Sequence, residues 1–422
     1  MRGVTPPALA RRLGTFDAVV VGLCAMVGAG VFVAFAPAAQ AAGAGLLVGL
    51  GIAALVAFCN AVASAQLATS YPASGGTYLF GRVVLGPWWG FTAGWGFVIG
   101  KTASCAAMAL TFAAYAVPGA SAWGHRLVAV AAVAVLTLAN LRGITRTATV
   151  ALILLGTTLL TLAVALVVGL GSGVRAPDPW RGLPPEQVDA LGVLQAAGLL
   201  FFAFAGYARI ATLAEEVRRP EMLGRAILVA LGVAIVVYAG VGLVLLLVLG
   251  TALAGSPTPV VALVRAAGAG WAEPLVRIGA AAASLGALLA LLAGVARTTL
   301  AMARERDLPS ALAHVAPVHR VPDRAQLAIG AAIVLLLCVA DVRDAIGFSS
   351  FGVLVYYGVA NLSAFRQPAS QRRWPRALNV LGLVGCVVLS VTLPLGSVVS
   401  GAAVLAVGLV GRRIALAVRG QR

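Results

Sequence analysis

Two short stretches combine residue types suited to holding a small ligand through the backbone. The first is Val27-Gly28-Ala29-Gly30-Val31-Phe32, inside an apolar segment running roughly from Phe16 to Ala38. The second is Phe204-Ala205-Gly206-Tyr207-Ala208-Arg209, midway along a later apolar segment. Glycines one residue apart are poor helix formers. A membrane helix that breaks at mid-depth frees N–H and C=O groups that lipid cannot satisfy. Such backbone persists only where it lines a cavity or is buried in protein. Gly28, Ala29 and Gly30 would then present N–H groups at the N-terminal end of a half-helix, where the partial positive charge suits a carboxylate. Val27 would lie at the break itself. The same glycines also suit close packing between helices, and both readings stay open. A pair of interrupted spans in corresponding halves of a chain points to the binding site of a secondary transporter.

The other candidate residues cluster around these stretches. Phe204 and Tyr207 can line or close over a ligand, or pack. Lys101, in Gly100-Lys101-Thr102-Ala103-Ser104-Cys105, is the only lysine and lies deep in an apolar segment. A charge at that depth costs at least about 2.5–3.5 kcal/mol on insertion scales and marks a functional position by default. Three roles are open to it: proton coupling, a partner for a substrate carboxylate, or a structural cation on helix carbonyls. Arg209 follows the second break and, staying protonated, is a gating or packing residue rather than a proton carrier. Glu215 and Glu216 stand at the end of that segment, suited to ion pairing or gating. Arg297 is placed to snorkel to an interface.

The segments that must position these residues are membrane spans. The chain has 422 residues, 61% hydrophobic and 10% charged, with a mean hydropathy of +1.02. Ordinary globular domains carry about 25% charged residues. Spans of about 20 residues fall at 16–38, 43–67, 84–116, 124–141, 147–171, 190–214, 223–250, 271–302, 325–341, 344–364, 377–393 and 395–411. With the N-terminus cytoplasmic, 21 arginines fall on the inner side and six on the outer, as the positive-inside rule requires. The net charge of +17 is therefore topological, and a nucleic-acid partner is not called for. The first segment reads as a retained span rather than a signal peptide. Cys24, Cys59, Cys105, Cys338 and Cys386 all fall in apolar spans and read as small buried hydrophobes. Three histidines, none at metal-ligand spacing with a cysteine or carboxylate, leave no metal site, no cofactor and no enzyme constellation. A channel reading lacks a carbonyl-filter motif or a ring-forming charge.

Four motifs carry a resemblance. Asp17 through Phe32, with Val27-Gly28-Ala29-Gly30 at its end, is similar to the first-helix signature of amino acid permeases. Phe201-Phe202-Ala203-Phe204-Ala205-Gly206-Tyr207, followed by Glu215-Glu216-Val217-Arg218-Arg219-Pro220, resembles their sixth helix and its exit. Arg297 and Ala301-Met302-Ala303-Arg304-Glu305-Arg306-Asp307-Leu308-Pro309 look like the end of the eighth, and Pro72-Ala73-Ser74-Gly75-Gly76-Thr77-Tyr78 fits the family too. The chain thus resembles the amino acid–polyamine–organocation (APC) superfamily over all twelve spans. The resemblance implies an all-α polytopic membrane protein with a LeuT-like five-plus-five inverted repeat (16–171 and 190–364), helices 1 and 6 broken, and two further helices within 377–411. It implies an amino acid substrate bound at Val27, Gly28, Ala29, Gly30, Phe204, Ala205, Gly206 and Tyr207. It also implies an inner-membrane location with both termini cytoplasmic, and uptake coupled to protons or exchange against another solute. Alignment places Thr158 where some proton-coupled members carry a lysine, and Leu285 and Gly286 where sodium-coupled relatives use hydroxyls. Neither coupling device is intact. Lys101 and Arg209 are mid-membrane cations without a mid-membrane carboxylate, which favours a neutral or anionic amino acid.

Overall fold

The computed structural model describes residues 14–71, 75–143, 148–183, 187–207 and 222–420. Arg209, Glu215 and Glu216 lie outside the described residues, as do Pro72, Ala73 and Ser74. Among the described residues every regular element is helical. The first span is three helices in series: α1 (Thr15–Met26), α2 (Ala29–Val33) and α3 (Phe35–Ala42). There follow α4 (Leu46–Ser70), the short α5 (Thr77–Val84), α6 (Pro87–Ala116), α7 (Ala122–Leu141), α8 (Ala148–Gly171) and α9 (Ala190–Phe204). The second half holds α10 (Leu223–Leu249), α11 (Pro259–Ala266), α12 (Glu273–Arg304), α13 (Asp323–Val339), α14 (Val342–Arg366), α15 (Arg376–Thr392) and α16 (Leu395–Gly420).

Among the described residues, ten runs are long and apolar enough to cross a membrane. The two other expected spans, α13 and α15, have 17 residues each, the lower end of the spanning range of about 17–25. The order therefore matches the sequence reading, with local corrections. The third span starts at Pro87 rather than residue 84, because Gly86 turns with φ 108° and proline opens the helix at its first position. The last span runs on to Gly420. An unforeseen helix, α11, occupies the connection between α10 and α12. The sixth apolar segment leaves α-helical form at Phe204 and continues as a tight turn of helix over Ala205–Tyr207.

Local signals start several helices. The Asp189 carboxylate accepts from the Leu191 N–H at 3.1 Å, and Asp341 accepts from the Asp344 N–H at 2.7 Å. Each satisfies an orphan amide of a first turn. Large apolar side chains face outward on α7, α8 and α16, including Leu138, Ile153, Val167 and Val407. In a chain this apolar, such faces are the lipid-facing ones. Cys59, Cys105 and Cys386 are buried as expected, but Cys338 is exposed on α13, because its face of that helix turns away from the bundle.

Helix α6 runs through the centre and packs tightly on α14. A Cβ at Gly352 would stand 2.6 Å from the Gly96 oxygen and 2.8 Å from the Gly100 Cα. Only glycine permits this backbone-to-backbone approach. One turn further, Ser104 and Ser349 share a 2.6 Å hydrogen bond across the same interface. Tyr115, near the end of α6, donates to the Phe32 carbonyl of α2 at 3.0 Å. The central pillar is thereby tied to the piece of the first span that lies beyond its break.

Candidate functional site

The first span breaks at the expected residues. Helix α1 ends at Met26. Val27 sits at φ −79°, ψ 50°, and Gly28 at φ −100°, ψ −136°, outside helical space. The Gly28 N–H turns back to the Met26 carbonyl at 2.8 Å. From Ala29 the backbone is helical again, and α2 continues into α3 through Ala34, itself in helical conformation. Every residue of α2 is buried. The N–H groups that open α2 have no acceptor one turn back, as at any helix start.

The two breaks face each other. A Cβ at Gly30 would lie 2.8 Å from the Ala203 Cα. One at Gly206 would run into the Ala25 carbonyl and the Met26 nitrogen. In the described conformation these glycines therefore serve close packing, and bringing a ligand to the backbone at Gly30 requires α2 and α9 to part. Gly28 instead faces α12, its Cβ direction meeting the Ala287 Cβ at 3.1 Å. A single hydroxyl spans the pair of breaks. Tyr238, fully buried on α10, lies 2.7 Å from the Met26 oxygen and 3.0 Å from the Ala203 oxygen, and its one proton serves both. The Phe204 ring packs edge-on against it, with centroids 4.9 Å apart.

Lys101 reaches the second break. Its side chain is buried, and the Nζ donates to the Ala205 carbonyl at 3.0 Å. The Tyr357 hydroxyl donates to the same oxygen at 3.3 Å. A carbonyl released by the loss of helix at Ala205 is thus held by α6 and α14 together. Tyr207, fully buried, stacks on Tyr357 with centroids 4.9 Å apart.

Thr158 lies beside the first break. Together with Cys24, Val27, Gly28, Leu154, Leu155 and Ala283 it lines a cavity of about 10 Å³, room for roughly one water-sized sphere. Its hydroxyl is used within its own helix, donating to the Leu154 carbonyl at 2.7 Å. The residues that α12 turns toward Gly28 are Ala283 and Ala287. Neither alanine carries a side-chain oxygen. Ser284 is buried nearby with a hydroxyl that lacks a partner among the described residues, but it does not line the cavity. Those residues also hold no group of three or more histidine, cysteine or acidic side chains placed for a metal.

Of the residues singled out from the sequence, Lys101 touches the second break and Thr158 lies beside the first; Tyr238 and Tyr357, which also touch the breaks, were not singled out. Each is a polar tip within an apolar span, the one signal that was available.

A family model described as amino acid permease matches residues 13–410. The chain belongs to the amino acid permease family. An uncharacterised transporter of Mycobacterium tuberculosis is 55% identical over 96% of this chain and 91% of its own. The branched-chain amino acid permease BcaP of Bacillus subtilis is 28% identical over 89% of this chain and 85% of its own. A methylthioribose transporter of the same organism is 27% identical over 75% and 72%. The permease is accordingly an integral, multi-pass membrane transporter and not an enzyme.

Proposed function

We propose that this permease carries an amino acid across the inner membrane by alternating access, with the two breaks forming the substrate site. The observation that supports this most is that they meet: Gly30 rests on Ala203, Gly206 on Ala25 and Met26, and Tyr238 bridges both. The substrate carboxylate is assigned to the N–H groups of Gly28, Ala29 and Gly30 at the start of α2. Its ammonium is assigned to carbonyls freed on either side of the breaks. Val27, Phe204, Ala205, Gly206 and Tyr207 complete the site. The spans are read as an inverted five-plus-five repeat, 16–171 and 190–364, followed by two helices within 377–411. Both termini are assigned to the cytoplasmic side from the arginine distribution.

Transport is read as proton-coupled uptake of a neutral or anionic amino acid. The described mid-membrane region holds the Lys101 ammonium and no carboxylate, which disfavours a cationic substrate. Lys101 is the coupling candidate because it touches the second break directly. Thr158 borders the first break without a titratable group. Uptake of labelled amino acids into proteoliposomes, with and without an inward proton gradient, tests the reading. Gradient-dependent accumulation of one amino acid is expected. Flux only against an internal counter-substrate would make the permease an exchanger, and binding without flux under either condition would make it a sensor.

A further inference from the structure

Lys101 carries an unbalanced charge in the site. An ammonium has three N–H donors. Among the described residues Lys101 uses one of them, on the Ala205 carbonyl at 3.0 Å. Its side chain is 6% exposed. The hydroxyls beside it on α6 are engaged elsewhere: Thr102 donates to the Val98 carbonyl at 2.7 Å, and Ser104 is paired with Ser349 at 2.6 Å. No described carboxylate forms an ion pair with Lys101, and the described carboxylates that do pair all join arginines or a histidine. A buried cation with two donors unused and no counter-charge among the described residues is stabilised by whatever anion enters next to it.

The two ends of the site then differ. The N–H groups that open α2 suit one carboxylate, the α-carboxylate every amino acid carries. The ammonium of Lys101 stands at the other break, against Ala205. A zwitterion with a neutral side chain brings no net charge and leaves Lys101 uncompensated. An amino acid with a second carboxylate brings one net negative charge and supplies acceptors for both unused donors.

We infer that Lys101 is a specificity-determining residue that makes the permease select an acidic amino acid, its ammonium binding the side-chain carboxylate beside the Ala205 carbonyl. This rests on the transporter reading above and narrows its substrate class. It differs from the coupling role for the same residue, because it concerns equilibrium binding and not the response to a gradient.

The test is equilibrium binding of labelled glutamate, glutamine, aspartate and asparagine to the purified permease in detergent, alongside the Lys101→Met and Lys101→Arg variants. Each acid and its amide match in shape, so their affinity ratio reads the charge. The wild type should bind one acid at least tenfold more tightly than its amide. Lys101→Met should bring that ratio below threefold, and Lys101→Arg should keep it above threefold. A wild-type ratio near one or below overturns the inference whether or not the variants fold. So does a ratio unchanged in Lys101→Met, including the case where only gradient-dependence is lost, which would assign Lys101 to coupling. Tight binding and uptake of a neutral amino acid would sink this inference and leave the transporter reading standing. Absence of binding and uptake across all amino acids would sink both.

Discussion

Removing the charge of Asp307 should destabilise the permease by about 3 kcal/mol, with the loss arising from one stranded arginine. Asp307 follows α12, and its side chain is 4% exposed. Its Oδ2 accepts from the Tyr78 hydroxyl at 2.9 Å and from the Arg82 Nη1 at 3.0 Å. Its Oδ1 accepts from the Arg412 Nε at 3.0 Å. One carboxylate therefore joins α5, the end of α12 and the last helix, α16. Burial and the adjacent carboxylate also push the Tyr78 phenol well above its ordinary pKa. In Asp307→Asn, Arg82 keeps a second partner, Glu305 at 3.1 Å, and is itself partly exposed. Arg412 has no such fallback. Its side chain is 6% exposed, and Asp307 is its only ion-pair partner among the described residues. What remains is the Trp88 ring at 4.5 Å and the Phe91 ring at 5.1 Å. Breaking a buried pair from one side costs about 3–5 kcal/mol. These cation–π contacts are unchanged by the substitution and leave the guanidinium partly satisfied rather than bare, which places the cost near the lower bound. Unfolding of the purified protein by dodecyl sulfate, followed by tryptophan fluorescence, measures it. The double variant Asp307→Asn/Arg412→Met removes the stranded charge and should recover at least half of the loss. A single-variant cost below about 1 kcal/mol, or a double variant no more stable than the single, would refute the reasoning.

Tyr238→Phe preserves the ring packed on Phe204 and removes the hydroxyl shared by the two breaks. The Met26 carbonyl keeps the Gly28 N–H, so the cost should lie near the low end of the range for an unsatisfied buried group, about 1–2 kcal/mol by the same unfolding assay. A change within error would show that the bridge does not hold the breaks together. Gly206→Ala drives a methyl group into the Ala25 carbonyl and should destabilise by about 1–3 kcal/mol. Gly294→Ala, with nothing within 4 Å of the new methyl, lies in the interior of α12 and should be neutral or stabilise by up to about 1 kcal/mol. Equal effects of the two substitutions would contradict the close approach of the spans.

The spans and their order were legible because each needs only about 20 apolar residues, a signal carried within one stretch of chain. The breaks were legible for the same reason: Gly28 and Gly30 weaken a helix wherever they stand. What lies between stretches was harder to read. Tyr238 acts on carbonyls 212 and 35 residues away, and nothing near it in sequence marks those partners. The Asp307 cluster draws arginines from 225 and 105 positions away. The unforeseen α11 is eight residues, too short to give a clear periodic signal. The glycines themselves carried two open readings, and their close packing became visible only once Ala203 and Ala25 were placed against them.

Alternating access requires the first break to move relative to its neighbours while substrate passes. A disulfide between Gly28→Cys and Ala287→Cys, in a background with the five native cysteines replaced by alanine, tests it most directly. The Cβ positions lie 3.1 Å apart, close enough to cross-link with a shift of a few tenths of an ångström. Amino acid uptake into proteoliposomes should be abolished on oxidation and restored on reduction. Undiminished uptake by the fully cross-linked protein would contradict the account.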